Sequence, residues 1–239
     1  MPKTTGFNQA SEQDVHTVSD TPRAVLGTKV HTADGRVYRY ARAGATALNA
    51  GEVTATPEVA ATTTDLAVAE TADTGSQQIT VTLSTDAVEA NAFAGGFVTV
   101  TDGDNSAISY KIASHDAAEA EADLVILLED AIVGTVTAAD EVTVTANEYA
   151  DVVVAPADGS LKPAGVPNVD VDAGYYFWSQ TGGVGAVLAH AIVAASNAVS
   201  VSGTAGAFDA AGAGDYQVGV TFMATAAGGT QPIKLTIDN

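Results

Sequence analysis

The chain has no cysteine among its 239 residues. That removes disulfides, thiolate zinc sites, iron–sulfur clusters and cysteine nucleophiles together. Its four histidines, His16, His31, His115 and His190, are far apart and form neither an HxH nor an HExxH spacing. A histidine-built metal site therefore has no local support. Long apolar runs are absent too: the longest, 185–195, is far too short to span a bilayer and contains His190. No apolar h-region occurs in residues 1–25, so the expectation is synthesis in the cytoplasm without a secretory signal.

Several catalytic signatures are missing as well. There is no GxSxG elbow, and Gly27-Thr28-Lys29 has the wrong order for a phosphate loop and lacks the upstream glycine. Gly182-Gly183-Val184-Gly185 does not match GxGxxG and reads as a tight turn between strands. Asp102-Gly103-Asp104-Asn105 starts like a calcium loop but lacks its later acidic positions and closing glutamate, so it reads as a hairpin turn. Adjacent acids such as Glu129/Asp130 and Asp140/Glu141 are expected on a solvated surface in a chain with 29 acids. The chain reads as a non-enzyme without cofactor or metal.

Positive charge is scarce. Nine Lys and Arg stand against 29 Asp and Glu, a formal net of −20. Residues 1–42 hold six of the nine, Lys3, Arg23, Lys29, Arg36, Arg39 and Arg42, against four acids. The remainder repels nucleic acid and anionic membrane. Any docking on an acidic partner falls to the N-terminal end. Abundant aspartate with little lysine also suits a salty environment, where screening relieves self-repulsion.

What is present is β texture. Alternating segments at 79–83, 97–101, 107–112, 141–145, 217–224 and 232–237, with turn signals between them, predict an all-β chain of sandwich or barrel modules. Further strands are expected at 152–154, 174–181, 186–191 and 198–201, and 203–216 reads as a glycine/alanine loop. The stretch 156–167, with its Pro and Gly, reads as a connection. Residues 44–51 suggest one helical turn closed by Gly51, and 52–75 a linker with one strand. In 116–131 alanine and glutamate favour helix, yet 124–128 is a continuous apolar run, read as a buried strand. Residues 1–25 are polar and aperiodic and read as an extended arm that orders on a partner.

The segment LGTKVHTADGRVYRYARAGATALNAG, 26–51, concentrates cations and aromatics. Asp34-Gly35 predicts a two-residue hairpin loop, which places His31 opposite Tyr38 and Lys29 opposite Tyr40. One face then carries Lys29, His31, Arg36, Tyr38, Tyr40 and Arg42. Two readings stay open: a surface kept for a partner, or an amphipathic hairpin whose tyrosines pack inward while arginine stems snorkel out. On the first, the partner-binding residues are Arg23, Lys29, Arg36, Tyr38, Arg39, Tyr40 and Arg42. At 175–178, Tyr175 and Phe177 share one side of a strand, and Tyr176 and Trp178 the other. The second pair is expected at a subunit interface.

Three stretches carry a resemblance: 26–51; GGFVTVTDGDNSAISYKIASH with LVILLEDAIVGTVTAADEVTVTANEYADVVVAP; and AGVPNVDVDAGYYFWSQTGGVGAVL. Together they resemble a family of virion structural proteins of tailed bacteriophages, regarded as capsid decoration or cement proteins. The resemblance spans most of 26–200. It implies an all-β protein on the outer surface of the head lattice, bound to the major capsid protein, often as a trimer. It also implies an arm at 1–25, a β domain formed by 26–60 with 151–239, and an inserted β domain at 61–150. Alternatives are another virion role, in the tail or a receptor-binding spike, and a secreted glycan-binding domain, which would carry an export signal and aromatic pockets.

Overall fold

A computed structural model describes residues 9–103 and 106–238. The first eight residues of the expected arm, with Lys3, and Asp104–Asn105 of the expected hairpin turn lie outside that range. The chain is all-β, with 40% of residues in strands and 3% helical. It divides into two compact units, residues 1–57 with 148–239, and residues 58–147. The resemblance had placed these boundaries at 60/61 and 150/151.

The strands in chain order are β1 (Lys29–His31), β2 (Val37–Arg42), β3 (Thr54–Ala55), β4 (Leu66–Ala67), β5 (Gln78–Thr82), β6 (Phe97–Val100), β7 (Ser109–His115) and β8 (Asp123–Leu128). They continue as β9 (Glu141–Thr145), β10 (Val153–Val154), β11 (Pro163–Pro167), β12 (Tyr176–Leu188), β13 (Ala198–Val201), β14 (Phe208–Ala210), β15 (Gln217–Thr221) and β16 (Thr230–Thr236). Two single 3-10 turns, Asp14–His16 and Ala61–Thr63, complete the set among the described residues. No helical turn forms at 44–51; Leu48 instead bridges Val171.

Residues 58–147 form one antiparallel sheet in the order β4-β9-β6-β7-β8-β5. Its ends meet, because Val68 bridges Val81 and the Ala69 N–H donates to Thr80 O at 2.8 Å. The cause is alternation: in β9 the valines point in and the threonines out, so one face drives burial while the other stays wet. The inward set, including Ile79, Val98, Ile112, Ile126 and Val144, is a core of seventeen buried residues. The run at 124–128 is not buried on both faces as expected. It alternates, with Val125 and Leu127 each 45% exposed.

In the other unit the sheet order is β10-β3-β11-β12-β16-β15-β13-β14, with β1-β2 joined to β12. The Gly182–Gly185 stretch is not a turn but the middle of the 13-residue strand β12. There β12 passes from pairing with β2 (Tyr176 to Gly182) to pairing with β16 (Gly182 to Leu188). A Cβ on Gly182 would lie 3.1 Å from Val37, so a bare backbone lets β2 approach across a bulge. Expected connections at 156–167 and 203–216 also contain strands, β11 and β14. β3 and β10 pair with each other, Val153 opposite Ala55. The chain thus leaves this unit and re-enters it through neighbouring strands.

Candidate functional site

The hairpin register is one residue from the expected one. Lys29 pairs with Arg39, Val30 with Tyr38 and His31 with Val37. The loop holds three residues, since Thr32 N–H donates to Arg36 O and Gly35 N–H to Thr32 O, both at 3.0 Å, with Gly35 at φ +85°. A one-residue slip moves a strand's side chains to the opposite face. Lys29 and His31 therefore leave the tyrosine face and Val30 takes their place. Tyr38 and Tyr40 are core residues, 0% and 2% exposed, and are corrected as partner contacts. Burial pushes the Tyr38 hydroxyl up to about 12.

The hairpin cations are turned to the chain's own acids. Arg39 grips Asp238 with two bonds of 2.8 and 3.0 Å, donates to Gly27 O at 2.8 Å and lies 5.6 Å from the Tyr149 ring centre. Lys29 meets the same carboxylate at 3.2 Å. Arg42 pairs with Asp151 at 2.6 Å, and Arg36 bridges Asp34, at 2.7 Å, and Glu12. Each of these four side chains is paired with an acid of its own chain, where the expected face had left it free for a partner. Of the seven assigned partner residues only Arg23 is exposed and makes no ion pair among the described residues; its N–H donates to Tyr40 Oη at 2.8 Å.

The ties have a pH signature. The Thr32 hydroxyl, helped by the Arg36 N–H and guanidinium, holds Asp34 down at about 2, and Arg39 and then Lys29 hold Asp238 below the usual carboxylate range. A carboxyl whose folded pKa is depressed adds stability that is complete above its unfolded value, about 4, and lost as pH falls below it. Acid titration of Trp178 fluorescence should show loosening of this region as pH falls from about 4 towards 2. In Asp238→Asn that acid response should be smaller; an unchanged response would mean the tie contributes nothing.

Residues 9–25 are packed down rather than held out as a loose arm. Ala10 N–H donates to His31 O at 3.1 Å, and Ser19 and Tyr176 exchange backbone bonds of 3.0 and 2.8 Å. Between these points Val15, 1% exposed, packs with Val30, Tyr38 and Trp178. The Tyr40 ring stacks on Tyr176 at 5.9 Å and tilts against Trp178 at 4.9 Å. Tyr176 and Trp178 are thus half-buried against their own chain. Exposed in this segment are Val18, Arg23 and Val25, the last 67%.

Beside the hairpin lies a pocket of about 280 Å³ lined by Arg36, Asn168, Gln180 and Val184 among others. Asn168 Nδ2 donates to Tyr38 Oη and Gln180 Oε1, both at 3.1 Å, while Gln180 Nε2 donates to the carbonyls of Gly182 and Val184. Gln180 thus satisfies carbonyls at the β12 bulge, and Asn168 holds the Gln180 amide in place. His115 is likewise structural: its Nε2 accepts from Phe93 N–H at 3.0 Å and Nδ1 lies 2.8 Å from Asp116 O. Among the described residues there is no group of three metal-ligating side chains and no helix long and apolar enough to cross a membrane.

Charge divides by unit, which counting from the N-terminus obscured. Residues 58–147 carry sixteen acids against Lys111 alone, a net of −15, and the other unit thirteen acids against eight basic residues, a net of −5. Within the latter, 173–208 and 216–237 contain no acid at all. That signal was readable in the sequence. No family model, no curated protein and no solved structure matches this chain.

Proposed function

We propose that the protein is a non-enzymatic capsid decoration, or cement, protein, made in the host cytoplasm and bound to the outer surface of a viral head. The unit of residues 1–57 with 148–239 meets the major capsid protein, and residues 58–147 face solvent. The division of charge carries this assignment. A net of −15 on 90 residues keeps crowded copies soluble and repels nonspecific partners, while a unit of −5 approaches a protein lattice at little electrostatic cost. Docking falls to the surface of the N-terminal segment, where Val18, Arg23 and Val25 are exposed. A lattice needs only modest affinity per site.

Mixing the protein with undecorated heads and pelleting them should give saturable binding at a fixed ratio to capsid subunits. Arg23→Glu with Val25→Ser should weaken binding by roughly tenfold or more, since an apolar contact and a charge are both lost. Absence of co-sedimentation overturns the assignment.

A further inference from the structure

The connections β12–β13 and β15–β16 lie at the same end of their unit, because Leu188 at the close of β12 pairs with Thr230 at the start of β16. They are stitched together. Val193 N–H donates to Thr225 Oγ1 at 2.8 Å and Thr225 N–H to Val193 O at 2.9 Å; Thr221 Oγ1 donates to Ala194 O at 2.7 Å and accepts from Asn197 N–H at 3.1 Å. Val193, Thr221 and Thr225 are 1%, 2% and 5% exposed, so they root both loops in the unit.

On this braced pair stand Ile192, Met223 and Phe222, exposed by 72%, 57% and 52%. Single exposed apolar residues need no explanation, but three on one braced end do. Residues 189–197 and 222–229 contain no Asp, Glu, Lys or Arg, in a chain of net charge −20.

We propose that this end is the contact between copies of the chain, closed around a rotation axis. Two copies repel wherever their carboxylates face each other. The braced loops bring none, so apolar contact there is unopposed by local charge. A charged partner would find no complementary group to recognise, whereas an identical patch offers matching apolar shape, as a closed symmetric contact requires. Rigid bracing lowers the ordering cost of association. The expected subunit interface thus moves from Tyr176 and Trp178, which pack on their own segment, to Ile192, Phe222 and Met223. This holds whether or not the protein coats a head.

The test is the mass of the full chain by sedimentation velocity from about 1 to about 100 μM. The native chain should self-associate into a closed oligomer, and more tightly as salt rises from about 0.05 to about 0.5 M, because screening removes repulsion and leaves apolar contact intact. Ile192→Ser, Phe222→Ser and Met223→Ser together should weaken association by about a hundredfold or more with the circular dichroism unchanged. Val125→Thr with Leu127→Thr, on the exposed face of β8, should leave it unaltered. A native chain that stays monomeric throughout overturns the proposal. So does an oligomer that survives the triple substitution, one that dissolves with the β8 pair, or flotation of a monomeric chain with phosphatidylcholine vesicles.

Discussion

Replacing Tyr38 by alanine is expected to cost about 3–5 kcal/mol of folding stability, the range for removing a large buried aromatic side chain. The ring is 0% exposed, packs with Val15 and Val30, and receives Asn168 Nδ2–H at 3.1 Å. Tyr38→Phe keeps the ring and loses only the hydroxyl, at about 1 kcal/mol. Urea unfolding followed by Trp178 fluorescence separates the two. A tyrosine kept for a partner would behave differently: its truncation would spare stability and damage docking. A Tyr38→Ala protein as stable as the native one would therefore restore the partner surface that the hairpin register takes away.

The second large effect lies in residues 58–147. Gly96→Ala should destabilise that unit by about 3 kcal/mol or more, because the added methyl has nowhere to go. Its Cβ would lie 2.0 Å from Thr145 O and 2.8 Å from Ala146 C, backbone atoms of the last residue of β9 and the one that follows it. Backbone cannot swing aside as a side chain does. Gly75 is the control: it has φ +91° and open space around its Cβ position, so alanine there costs only the left-handed strain, about 1 kcal/mol. Hydrogen exchange at the buried Val98 and Val144 positions reads the difference site by site. Equal protection in the two variants would mean that β6 has room to shift away from β9.

The β class was legible because valine–threonine alternation is local. β5, β6 and β9 lie within a residue or two of the stretches read from pattern alone. What failed was whatever depends on a distant partner. Asp34-Gly35 announces a hairpin equally well for loops of two or three residues, and only the packing of Val30 beside Tyr38 selects the longer one. The carboxylates that neutralise Arg39 and Arg42 are 199 and 109 residues away. Counting charge along the chain left those arginines looking free. Pro163 and Pro167 argued against a strand, yet they sit at its two ends, where β11 pairs with β3 and then with β12. Val125 and Leu127 hid the alternation of β8 by being apolar on its wet side. The acid-free runs at 173–208 and 216–237 were visible throughout, and the resemblance implied an inserted domain at 61–150; the charge was nevertheless counted from the N-terminus and not over that body.

The pairing of β3 with β10 has a further consequence. The chain departs at Pro57 and comes back at Glu148 through two strands already clasped side by side, so the topology of the rest does not depend on what is threaded between them. A short reverse turn or an unrelated module could be grafted there without rerouting a single other strand. The sixteen acids of residues 58–147 would leave with that cassette, so its exchange would reset the charge of the molecule while every other strand kept its partners.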